Sequence, residues 1–130
     1  MASEHEATAF FTQVDHSRDP DFFVRFMDEG HKLPAIRSSR ALMLERLAVR
    51  PGDRVLDVGC GPGIDMLEMA ELVGPGGELV GLDASEVMVA EARRRAQALQ
   101  VAASFEVGDA QALRFPAASF DVCRTERVLI

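Results

Sequence analysis

A short apolar run passes without a break into a glycine-rich loop. Arg54-Val55-Leu56-Asp57-Val58 is followed at once by Gly59-Cys60-Gly61-Pro62-Gly63, and a helical pattern opens on the next residue, Ile64. An apolar strand, a tight turn and a helix make the first half of a strand–helix–strand unit, whose second strand lies parallel to the first. Glycine lets the backbone turn sharply there and leaves main-chain N–H groups open to a ligand, with no Cβ in the way. In such open α/β sheets the ligand crevice lies outside the carboxyl ends of the strands.

The rest of the chain extends this pattern. Gly74-Pro75-Gly76-Gly77 is a turn, residues 78–82 (ELVGL) a second strand, and residues 85–99 a long helix with Ser85 as its cap. Residues 104–107 and 120–124 (FDVCR) supply a third and a fourth strand. Alternating strands and helices with apolar strands predict a parallel sheet covered on both faces, an α/β three-layer sandwich. A boundary falls near Pro51-Gly52. Residues 1–50 are expected to form a helical cap and residues 51–130 the ligand-binding core. Within the cap, Asp19-Pro20 is a helix start that leads into Phe22, Phe23, Phe26 and Met27 on one stripe, with Gly30 as a stop. Leu33-Pro34 opens a second helix, in which Ile36, Met43 and Leu47 recur beside Leu42 and Leu44.

The glycine spacing bears on the ligand. A dinucleotide loop is GxGxxG, whereas here the third glycine comes one residue early and Ile64 takes the expected place. Asp65 and Glu68 in the first turns of the following helix would oppose a pyrophosphate docked on its N-terminus. Asp57 ends the first strand, Asp83 the second and Asp109 the third, three acids converging on one sheet edge. Asp83, placed twenty residues after Gly63, suits a ribose diol, and Asp109 an adenine amino group. A glycine-lined acidic pocket fits a phosphate-free, cationic nucleoside such as S-adenosylmethionine.

These segments resemble a known family. Residues 55–63 (VLDVGCGPG) look like the first motif of class I, Rossmann-like S-adenosylmethionine-dependent methyltransferases. Val80-Gly81-Leu82-Asp83-Ala84-Ser85, with Met88 and Ala92-Arg93 behind it, resembles their second-strand motif. Gly108-Asp109-Ala110, Leu113-Arg114-Phe115-Pro116 and Ser119-Phe120-Asp121-Val122 resemble their third- and fourth-strand motifs, and the likeness is greatest to the small-molecule branch. The resemblance implies a sheet order of 3-2-1-4 and S-adenosylmethionine as cofactor. It implies that Asp57 and the loop Gly59, Cys60, Gly61, Pro62 and Gly63 hold the methionine end, with Asp57 equally suited to capping the loop. Asp83 would take the ribose, Met88 the adenine face, and Asp109 with Ala84 and Ala110 the adenine surroundings. Arg124 would lie near the methionine carboxylate or the acceptor. The family continues beyond its fourth strand, so the expectation here is either a fragment or a sheet completed by a second copy or a partner across the fourth-strand edge.

Composition narrows the partners. With 14 basic and 21 acidic residues the net charge is −7, a field that repels nucleic acid and anionic lipid. No apolar run approaches the ~20 residues that span a bilayer. Cys60 and Cys123 form no paired motif, so free thiols in a reducing cytoplasm and no structural metal are expected. His5, His16 and His31 read as surface histidines, and the Phe10-Phe11 and Phe22-Phe23-Phe26 groups as packing before an acceptor roof. Arg93-Arg94-Arg95 reads as a solvated helix face, Asp121 as a strand-start cap, and Glu126 as a first-turn helix carboxylate. The favoured function is direct in-line methyl transfer to a small-molecule acceptor. Two rivals stand beside it: a non-catalytic S-adenosylmethionine-binding or assembly module, and a nicotinamide dehydrogenase, which the glycine spacing disfavours.

Overall fold

Asp19 starts the first helix as its residue type predicts. Its carboxylate accepts the N–H of Phe22 at 3.2 Å, and Pro20 fills the first helical position, where no N–H is needed. The computed structural model describes residues 14–125. His5, Phe10, Phe11, Glu126 and the tail 128–130 lie outside the described residues. A 3-10 turn, Val14–His16, precedes helix α1 (Pro20–His31) and helix α2 (Pro34–Leu47). Then follow β1 (Arg54–Val58), α3 (Ile64–Val73), β2 (Glu78–Asp83), α4 (Glu86–Ala98), β3 (Ser104–Val107) and β4 (Val122–Thr125). Each expected element is present, with ends displaced by two residues at most. Ser85 caps α4, its hydroxyl accepting the Met88 N–H at 3.1 Å.

The four strands form one parallel sheet in the order β3-β2-β1-β4. Side chains alternate across it. Val55, Leu79 and Phe105 face α3 and α4, where Met66, Met69, Val73, Val89, Ala92 and Ala96 bury their apolar stripes. Leu44 and Leu47 of α2 pack against the same cluster. Complete burial of Met66, Met69 and Leu79 removes apolar surface at about 25 cal/mol per Å², the main force holding these layers together. Gly81 belongs to this packing. A Cβ there would stand 2.7 Å from Met66 Sδ and from the Phe105 ring, so only glycine lets α3 and β3 approach β2 this closely.

On the opposite face Leu56, Val58, Val80 and Leu82 are covered by Ala110, Phe115 and Phe120. The third layer is thus the irregular segment between β3 and β4, and no helical residue joins that cluster. Phe115 and Phe120 meet edge to face at 5.1 Å. A turn lies at Pro51-Gly52, with the Gly52 N–H donating to Val73 O at 2.8 Å. Among the described residues no helix is long and apolar enough to cross a membrane.

Candidate functional site

The carboxyl ends of β1 and β2 are stitched to the glycine loop. Leu82 O accepts the N–H groups of Gly59 and Cys60 at 2.6 and 3.0 Å. One step further, Asp83 Oδ2 accepts the Gly61 N–H at 2.9 Å and Oδ1 accepts the Ser85 N–H at 2.9 Å. Asp83 is therefore both an anchor for the loop and a cap for the start of the α4 segment. A carboxylate has about four lone-pair sites, so two remain for ligand hydroxyls. Burial pushes its acid strength toward the neutral form, the amides of Ser85 and Gly61 pull back, and the charge of Asp15 pushes further up.

Two glycines of the loop differ in kind. Gly63 (φ +82°) packs inward, and a Cβ on it would press on Ala92 and Phe105 at 3.3 Å. Gly61 (φ +55°) is buried, and a Cβ on it would meet Met27 Cε at 3.6 Å, an ordinary contact. Both positions need the left-handed region that glycine adopts freely. Pro62 between them is fully buried, and Cys60 is buried beneath the loop. Burial, then the negative charges of Asp83 and Asp57, hold the Cys60 thiol far above its ordinary range, so it stays protonated.

Behind the loop lies a chain of buried ions. Asp57 is 1% exposed, and its Oδ2 accepts from Arg124 Nη1 at 3.1 Å. Arg124 Nη2 reaches Asp65 Oδ2 at 2.6 Å. Arg40 of α2 completes the chain, bonding Asp65 Oδ1 through Nε and Glu68 Oε1 through Nη2, the latter at 2.8 Å. Three carboxylates thus share two guanidinium groups. The start of α3 is closer to neutral than Asp65 and Glu68 suggest in the sequence, so the case against a pyrophosphate rests on the glycine spacing.

The remaining expected positions spread around this centre. Gly108 N–H donates to Asp83 O at 3.0 Å, which brings the end of β3 to the same edge. Asp109 next to it is exposed, with Oδ1 accepting the Gln111 N–H at 2.8 Å. Ala84 is exposed, Ala110 packs on the far face of the sheet, and Met88 is buried among Val14, Phe23 and Val24. Arg124 lies against Asp57 and Asp65. Asp121 pairs with Arg54 and accepts its backbone N–H at 2.9 Å. Of the arginine triplet read as a solvated face, Arg93 donates to Phe105 O at 2.6 Å and Arg95 ties α4 to Asp28 of α1.

Two functional neighbours carry no local sequence signal. Asp15 accepts from the Ser85 hydroxyl and from the N–H groups of Glu86 and Val87, seventy and more positions along the chain. Arg40 stands in a helix whose exposed face gives no hint of a partner 25 residues away. Among the described residues no cluster of His, Cys, Asp or Glu is arranged to hold a metal ion.

Comparison with known proteins fixes the class. The family model of the methyltransferase domain matches residues 50–129. An uncharacterized 37.1 kDa protein of transposon TN4556 from Streptomyces fradiae is 40% identical over 96% of this chain and 36% of its own length. Nocamycin O-methyltransferase from Saccharothrix syringae is 46% identical over 62% of this chain and 29% of its own. Among solved structures, the YcgJ protein from Bacillus subtilis superposes with a TM-score of 0.64 at 33% identity, covering 71% of this chain and 38% of that one. The chain belongs to the class I S-adenosylmethionine-dependent methyltransferase family. It spans about a third of the length of these two relatives.

S-adenosylmethionine is the family's cofactor, and the donor set fits it. The half-buried Asp83 carboxylate beside the loop has lone pairs for ligand hydroxyls and carries a charge suited to a cationic ligand.

Proposed function

We propose that this chain carries the cofactor-binding part of a methyltransferase acting on a small-molecule acceptor by direct in-line transfer. The observation that supports it most is the tie between Asp83 and the Gly61 N–H, which joins the ribose-type acid to the glycine loop in one rigid unit. Asp83 would accept the ribose hydroxyls. The backbone of Gly59, Gly61 and Gly63 with Cys60 and Pro62 would cradle the methionine end, and Asp57 would act on it through the charge it places under the loop. Ala84, Met88, Asp109 and Ala110 would surround the adenine. Arg124 would set the local charge near the methionine carboxylate while bonded to Asp57 and Asp65. The cofactor supplies an electrophilic methyl group on a sulfonium. The protein's part is to orient, exclude water and place negative charge, with no covalent step on a side chain.

The acidic balance of −7 supports a small acceptor over nucleic acid, and the name of the nocamycin enzyme points the same way. The two free thiols suit a reducing cytoplasm. The β4 edge, paired only with β1 among the described residues, would take a further strand of a longer chain or, in these 130 residues alone, a second copy or a partner strand. Light scattering should then give a mass above that of one chain, and a soluble monomer refutes this contact. Calorimetry tests the cofactor. S-adenosylhomocysteine should bind and NAD should not, and the reverse preference overturns the reading. Transfer of labelled methyl to molecules below about 1 kDa in a crude extract, and not to its RNA, tests the acceptor class.

A further inference from the structure

The surface that the cofactor reading requires and the N-terminal segment of this chain occupy the same place. Met88, the residue assigned to the adenine face, is 3% exposed and packed among Val14, Phe23 and Val24. Gly61, in the loop assigned to the methionine end, is buried, and a Cβ on it would meet Met27 and nothing else within 4 Å. All four covering residues come from positions 14–27. A side chain buried this deeply offers no face to a ligand until its cover moves.

Polar ties hold that cover at both ends of α4. At the start, Asp15 accepts from Ser85 Oγ at 2.5 Å, Glu86 N at 2.6 Å and Val87 N at 3.2 Å. Near the end, Arg95 grips both oxygens of Asp28 at 2.8 and 2.7 Å. Between them the contact is apolar and small. The Asp15 tie is the one beside Met88, and it sets one carboxylate on three donors in the residues that follow Asp83.

We propose that residues 14–31 are a gate over the cofactor cleft and that Asp15 is its latch, a positioning residue whose release from the α4 start frees Met88 for the adenine and Gly61 for the methionine end of the cofactor. The proposal rests on the cofactor reading for its ligand, and on the geometry alone for the motion. The segment swings as a unit while Asp28–Arg95 keeps it tethered.

Hydrogen exchange on the ligand-free chain tests the motion, with Asp15→Asn as the variant. Exchange should quicken by about tenfold, the scale of one lost charge-assisted hydrogen bond, at Glu86, Val87 and Met88 and equally across residues 20–31. Quickening confined to residues 86–88 would make Asp15 a helix cap only and overturn the gate. Asp28→Asn is the second variant, and it should loosen residues 20–31 while leaving 86–88 slow. Exchange in that variant spreading to 86–88 would also overturn the separate-latch assignment. Stopped-flow mixing should show S-adenosylhomocysteine associating several-fold faster with Asp15→Asn, and an unchanged rate refutes the gate. Absence of binding to either protein would instead sink the cofactor reading, with the exchange pattern still deciding the motion.

Discussion

Replacing Arg124 with methionine should expose how much the fold depends on the buried ions under the loop. The substitution keeps length and apolar bulk but removes the guanidinium that lies between Asp57 and Asp65, at 3.1 and 2.6 Å. Asp65 keeps Arg40, whereas Asp57, at 1% exposure, loses its charged partner inside the protein. Removing one member of a buried ion pair costs about 3–5 kcal/mol, because the surviving charge stays desolvated. With a urea dependence of about 2 kcal/mol per molar, the unfolding midpoint at pH 7 should fall by about 2 M. The sign with pH follows from the same physics. A buried carboxylate that has lost its guanidinium binds a proton more tightly folded than unfolded, so the variant's deficit is largest at neutral pH and shrinks as the pH drops toward 5. Asp57→Asn added to Arg124→Met should recover a good part of the loss, since the pair is removed together. Urea melts at pH 7 and pH 5 on both variants are the assay. A midpoint shift below about 0.5 M, or no recovery in the double variant, refutes the account of Arg124 as the charge that keeps Asp57 buried.

Asp83→Ala should weaken S-adenosylhomocysteine binding by about 1–3 kcal/mol in calorimetry, toward the upper end because the Gly61 and Ser85 amides lose their acceptor as well. Gly61→Val should weaken it further, combining a strained φ of +55° with a side chain in the loop proposed to cradle the cofactor, and equal affinity in both variants would place the site elsewhere. A thiol reagent should modify one cysteine quickly, the exposed Cys123, and reach Cys60 only on unfolding. Glu91 is held at about 2 by Arg94, then Arg95, against an ordinary 4.5. A lowered carboxyl contributes stability above its unfolded value and loses it as the pH falls from about 4.5 through about 2, so Glu91→Gln should destabilise at pH 7 and lose most of that effect by pH 2. Its partial exposure keeps the neutral-pH loss below about 1 kcal/mol.

The strands and helices were legible because each is dictated locally. Asp19-Pro20 and Ser85 begin helices through their own side chains, and Val55, Leu79 and Phe105 alternate with the pleat. The glycine loop announces itself by its place between β1 and α3. What stayed hidden depends on contacts across the chain. Asp15 reaches Ser85 over seventy positions, and Arg40 reaches Asp65 over 25, with no motif at either end. Asp57 and Arg124 read singly as ligand contacts, while their side chains meet each other on neighbouring strands that pair at Asp57 and Arg124. Asp65 and Glu68 read as uncompensated acids because the arginine that answers them lies in another helix. Gly81 read as part of a motif, yet the structure gives it a packing reason that no spacing rule contains.

Arg40 also decides what parts of this protein are interchangeable. Its guanidinium travels with α2, while Asp65 and Glu68 travel with α3. A chimera that grafts the leading helices of a relative onto this core leaves Glu68 without its counter-charge and Asp65 with Arg124 alone, unless the donor brings a basic residue to the same spot. Exchange of the leading helices in this protein therefore follows a hidden pairing rule, written in one arginine and two carboxylates rather than in the glycine motif.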